Sequence, residues 1–176
     1  SAPYNTMNTE DLVIRGNSFN SSGGVATQTI FIRNETFPTT GQKFKNITIE
    51  DNAIYNSHLH GVTIYDTIGA TVQNNTLLWN PDAAMRQSTN SEPVTMEPTI
   101  RLDGVEDGVV TGNITSNVYA PGAQVSNNVL VEYEDVSSPN FVGAHFTNAV
   151  EGGIVDMRDL QLLESSEWVG VYGSEL

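Results

Sequence analysis

Arg33, Arg101, His58, His60 and Tyr65 carry the chemistry that this sequence could offer a substrate. A guanidinium grips a carboxylate through two parallel hydrogen bonds and so acidifies the C–H beside it. A histidine or tyrosine can then take or give the proton. β-Elimination and C5 epimerisation of a uronate both use this logic, so an acidic polysaccharide is the substrate class that suits the set. His58, His60 and Tyr65 are the candidate catalytic groups, and Phe31, Arg33, Arg101 and Asp103 the candidate substrate-binding residues. Glu50-Asp51, Asp103 with Glu106-Asp107, and Glu132 with Glu134-Asp135 are candidate Ca2+ ligands with help from carbonyls, although no EF-hand or nine-residue calcium repeat is present. No other cofactor is indicated. With no cysteine there is no thiolate nucleophile, disulfide or cysteine zinc site. Ser-His-Asp order, a phosphate-binding loop and a dinucleotide fingerprint are all missing.

Those residues are far apart in the chain, and a repeat is what would collect them. Ile49-Glu-Asp-Asn52-Ala-Ile54 is echoed by Val72-Gln-Asn-Asn75-Thr-Leu77, by Ile14-Arg-Gly-Asn17-Ser-Phe19 and, more loosely, by Val110-Thr-Gly-Asn113. The asparagines are 35, 23 and 38 residues apart, read here as a unit of 23 with two inserted loops, at 34–42 and about 80–98. Short alternating runs such as Ile47-Thr-Ile49 and Val62-Thr-Ile64 predict half-buried strands. Strands this short stack coil on coil, with the asparagines at the bends bonding from one coil to the next. With Ile32, Ile64 and Leu102 inward, Arg33, Tyr65 and Asp103 form one outward column, and Phe31, Thr63 and Arg101 a second. Glu132, on a strand at Val129–Glu132 assigned to coil four, would extend the first column. Both insertions adjoin this face, and His58 and His60 precede its coil-two strand. The competing reading is a polar face that is simply wet, with His60 serving as a bend residue beside Gly61.

The phrase apolar-x-x-Asn-x-apolar, from about Leu12 to Asn128, resembles the right-handed parallel β-helix proteins of the pectate-lyase-like superfamily, and loosely the β-helices of bacterial alginate epimerases and lyases and of phage tailspikes. The resemblance implies an all-β solenoid of roughly five to seven short coils, one domain over residues 1–176 with a poorly capped edge at about 1–10 and a degenerate last coil and cap at about 137–176. Asn56-Ser-His58-Leu-His60-Gly-Val-Thr-Ile64 looks like repeats of mannuronan epimerase modules, but their Asp-Pro-His signature is absent, so no catalytic residue carries over. Asp159-Leu-Gln-Leu162-Leu-Glu-Ser165, with Trp168, is similar to the closing segment of such proteins and is expected to cover the last coil.

The chain has 176 residues and a net charge of −14, with 7 Lys plus Arg against 21 Asp plus Glu. Such acidity argues against phosphate-backbone binding, and no apolar run is long enough to span a bilayer as a helix. The five Asn-x-Ser/Thr sequons, at Asn20, Asn34, Asn46, Asn74 and Asn113, fall largely within the repeat and are read as structural. A chain starting at Ser reads as a mature or excised piece, whose partners would be polysaccharide and further β-helix coils of a longer parent or of another copy. The expectation is an extracellular or surface-exposed module that engages acidic polysaccharide, either alone or as part of a lyase or epimerase. The alternative is a non-catalytic structural or adhesive segment of a tailspike or surface protein.

Overall fold

The computed structural model describes residues 9–21, 24–84, 96–147 and 160–173. The expectations for the N-terminal edge at 1–8, for 85–95 of the second insertion, and for 148–159 near the closing segment lie outside them.

The chain folds as a parallel β-helix. Three sheets of short strands share one core, and every pairing between their strands is parallel. The first sheet stacks Val13–Arg15, Phe44–Glu50, Thr67–Gln73, Glu106–Thr111 and Gln124–Ser126. The second stacks Ser18–Asn20, Ala53–Asn56, Thr76–Trp79, Ile114–Thr115 and Val129–Leu130, and the third Ile30–Ile32, His60–Tyr65, Thr99–Asp103 and Val118–Tyr119. These make four complete coils and two sides of a fifth. Alternation supplies the inward residues: Ile14, Ile49, Val72 and Val110 in the first sheet, Phe19, Ile54 and Leu77 in the second, Ile32, Ile64 and Leu102 in the third. Each side chain buried this way contributes about 1.5–3 kcal/mol.

The asparagine ladder forms between the first and second sheets. The backbone N–H and the side-chain amide of Asn17 both reach Oδ1 of Asn52; Asn52 does the same to Asn75, Asn75 to Asn113 and Asn113 to Asn128, all at 2.9–3.1 Å. The left-handed backbone sits one residue before each ladder asparagine. Gly16, Asp51, Asn74, Gly112 and Asn127 have φ of 65°, 54°, 53°, 68° and 51°. The ladder asparagines themselves do not, because the preceding residue makes the corner and leaves the amide free to point down the stack.

Asn128 corrects the coil length and the register. Val125-Ser-Asn-Asn128-Val-Leu130 is a fifth copy of the phrase, and it follows Asn113 by only 15 residues. A coil therefore needs fewer than 23. Val129–Leu130 pairs with Ile114–Thr115 in the second sheet, and the third strand of coil four is Val118–Tyr119 beside Arg101. Glu132 thus leaves the Arg33–Tyr65–Asp103 column, and its Oε1 accepts the N–H groups of Tyr133 and Glu134 instead.

The C-terminal segment packs on the second sheet. Val131, Tyr133, Val142, Phe146, Leu160 and Trp168 form a second apolar cluster with Ala53, Tyr55, Leu78 and Ile114, the outward residues of the second sheet. Leu162 packs at its margin, and Phe146 bridges to it. The segment therefore covers the flank of the solenoid. The end of coil five keeps Val125 and Leu130, both in register with core positions, 49% and 47% exposed.

Candidate functional site

The outward face of the third sheet brings the predicted residues together. Phe31, Thr63, Arg101 and Tyr119 lie in one register column, and Tyr65 pairs with Asp103 beside it. Arg33 follows Ile32 immediately and is exposed. The side chains interlock across coils. The Arg33 guanidinium lies 5.5 Å from the centre of the Tyr65 ring, and Arg101 lies 5.8 Å from Tyr65 and 4.5 Å from Tyr119. The result is an alternating row of cations and rings over coils one to four, held by attraction to the ring faces. Phe31 closes the upper side, edge-on to His60 at 5.3 Å and 5.8 Å from Tyr65.

The two arginines are not equivalent. Arg101 donates through Nη2 to Oδ2 of Asp103 at 2.6 Å, a bond that raises its pKa further, while its Nε is buried without a partner. Arg15, Lys43 and Lys45 are likewise paired, with Glu50, Glu106 and Glu10. Among the described residues Arg33 alone of the cations has no carboxylate partner. On a chain with net charge −14, it is an unneutralised positive group on an aromatic shelf.

The histidines sit at the start of the coil-two strand, with ring centres 5.3 Å apart. His58 Nδ1 accepts the backbone N–H of His60 at 3.0 Å. Its ring hydrogen is therefore on Nε2, and His58 can donate to a ligand but not take a proton there. His60 Nδ1 contacts Oγ1 of the fully buried Thr63 at 2.9 Å. Partial burial lowers the pKa of both rings; the neighbouring histidine adds to this for His58, and Arg101 for His60. Both are neutral at neutral pH. His60 is no bend residue: it opens a strand, and Gly61 is there for space, since a Cβ would lie 2.7 Å from Leu77 Cδ2 and 2.9 Å from Pro98 Cβ.

Sequence reasoning missed Tyr119 and Thr63. Tyr119 was hidden by the coil-four register, although Val118-Tyr119 between Asn117 and Pro121 carries a short strand signal. Thr63 was placed in the outward column but not tied to the histidine it steadies.

Several of the carboxylates proposed for calcium are engaged elsewhere. Glu50 bonds Arg15 Nε and Gln73 Nε2, each at 2.6 Å; Asp135 accepts from Ser137; Glu106 pairs with Lys43. Among the described residues no three His, Asp or Glu side chains gather where they could share a metal ion. Compared with models of protein families, with curated proteins and with solved structures, the chain finds no match.

Proposed function

We propose that the third-sheet face binds an acidic polysaccharide. The observation that carries this reading is the row Arg33–Tyr65–Arg101–Tyr119, with Arg33 free of any carboxylate among the described residues. Sugar rings have apolar faces that stack on aromatic side chains, and a uronate carboxylate is the natural partner of an unpaired guanidinium. Phe31, Tyr65 and Tyr119 supply the stacking surface, Arg33 the ion pair, and His58 Nε2–H a neutral donor. Recognition is better supported than turnover. Elimination would need a guanidinium beside a base, and the one nearest His60 is committed to Asp103. Within a lyase or epimerase His60 would be the base, with Tyr65 as the second proton carrier. A place outside the cell or on a cell or virion surface accompanies this reading, because that is where such polymers are met.

A second reading has one observation in its favour. Val125 and Leu130 leave the end of coil five uncovered by described residues, as a segment stacked on further coils would.

The test is calorimetric titration with polygalacturonate and alginate, together with ultraviolet detection of unsaturated product. The expected result is binding that Arg33→Ala weakens about tenfold, equivalent to about 1.4 kcal/mol. No binding to either polymer, with the fold intact, would remove the proposal and leave the structural segment as the account.

A further inference from the structure

A cleft of about 460 Å³ lies at the corner where the second sheet turns into the third, in coils two to four. Leu59, Trp79 and Met96 give it apolar walls, and Glu97, Ser116 and Asn117 give it polar ones. It is continuous with the arginine face. Thr99, also in its lining, is two residues ahead of Arg101 on one strand, and Asn117 two ahead of Tyr119 on the next. Two residues of strand span about 7 Å, close enough for neighbouring units of one polymer. Thr99 Oγ1 and N–H both donate to the Leu59 carbonyl, at 2.8 and 3.1 Å, which fixes the rim between His58 and His60.

The chemistry of this cleft differs from that of the face beside it. Among the described residues its only charged lining group is Glu97, which repels carboxylate and sulfate and accepts from hydroxyls. One polar atom among its lining residues, Trp79 Nε1, is buried and meets no hydrogen-bond partner. Groups in that state cost free energy unless something supplies the missing bond. Indole N–H, hydroxyl, amide and carboxylate around an apolar wall match a ring that carries several hydroxyls, one hydrophobic face and no charge.

We infer that the corner cleft takes a neutral sugar unit next to the acidic one, so that the protein reads a heteropolysaccharide in which an uncharged residue neighbours a uronate. The inference rests on the reading of the third-sheet face as a glycan-binding surface. The experiment is an NMR titration of 15N-labelled protein with neutral β-1,4-linked hexaoses of glucose, mannose and xylose, and separately with polygalacturonate. The Trp79 indole N–H, one of only two indoles in the chain, is the reporter. At least one neutral hexaose should move it saturably at millimolar concentration. The double variant Ser116→Ala, Asn117→Ala, at the surface of the cleft, should weaken that hexaose about fivefold or more and leave polygalacturonate affinity unchanged. Polygalacturonate binding with no neutral hexaose moving Trp79, or a neutral response untouched by the double variant, overturns the cleft and spares the face. A Trp79 response that the double variant weakens, with no polygalacturonate binding, upholds the cleft and overturns the acidic face. No response to any probe overturns both.

Discussion

The backbone N–H and the side-chain Nδ2 of Asn75 both donate to one atom, Oδ1 of Asn113 in the next coil, at 2.9 and 3.0 Å. Asn75 also donates to the carbonyls of Ile49 and Gln73, and its own Oδ1 receives both donors of Asn52. It is fully buried, so Asn75→Ala strips polar groups that water cannot reach. The expected loss is about 3 kcal/mol or more, read from the denaturant midpoint. Asn17, exposed at the ladder's end, should cost about 1 kcal/mol when replaced by Ala. Equal losses at the two positions would mean that the ladder does not hold the stack.

Glu50 joins three coils by bonding Arg15 and Gln73, and these hydrogen bonds hold its carboxyl below the ordinary value of 4.5. The depressed value means that the folded state resists protonation more than the unfolded chain does. The resulting stability is present above pH 4.5 and is lost as pH falls through the lower folded value. Glu50→Gln should be less stable than the parent at neutral pH and should show a shallower loss in that acid window. Parallel acid unfolding curves for the two proteins would show that Glu50 is not the group responsible.

Gly61 and Gly16 serve different purposes, and substitution separates them. At Gly61 a methyl group would meet Leu77, Pro98 and, at 3.1 Å, the Thr99 carbonyl, so Gly61→Ala should cost about 1–3 kcal/mol through overpacking. Gly16 has open space but φ of 65°. Asn74 and Asn127 hold the equivalent corner in other coils, so Gly16→Asn should change stability by less than about 0.5 kcal/mol. Thermal melts of the two variants decide it, and a destabilised Gly16→Asn would show that the corner tolerates less than its neighbours suggest.

His58 and His60 titrate below their ordinary 6.5. The unfolded chain therefore takes up protons first, so stability is full above pH 6.5 and falls as pH drops through the folded values. On the proposed face the same protonation adds positive charge beside Arg33 and Arg101. Affinity for polygalacturonate should rise over the window in which stability falls, until the polymer's own carboxylates protonate. His58→Gln with His60→Gln should flatten both trends, and an affinity that does not change across this window in the parent would detach the histidines from the binding face.

The repeat was legible because a solenoid reuses one local solution. Each coil needs an apolar residue inward, a corner and an asparagine facing down the stack, and those demands stay within six consecutive residues, as in Ile49 to Ile54. Alternation alone also placed Arg33, Tyr65, Arg101 and Asp103 outward, because side chains on a strand must alternate. What the sequence could not show was set by contacts between distant segments. Coil length is free wherever a corner can be shortened, so the assumption of 23 residues moved Val129 into the wrong sheet and hid Tyr119. The pairing of Arg101 with Asp103, the freedom of Arg33 and the fixed ring hydrogen of His58 depend on rotamers chosen by neighbours in other coils. The docking of Trp168 on the second sheet followed from a flank already apolar with Tyr55 and Leu78, a surface that exists only once the coils have stacked.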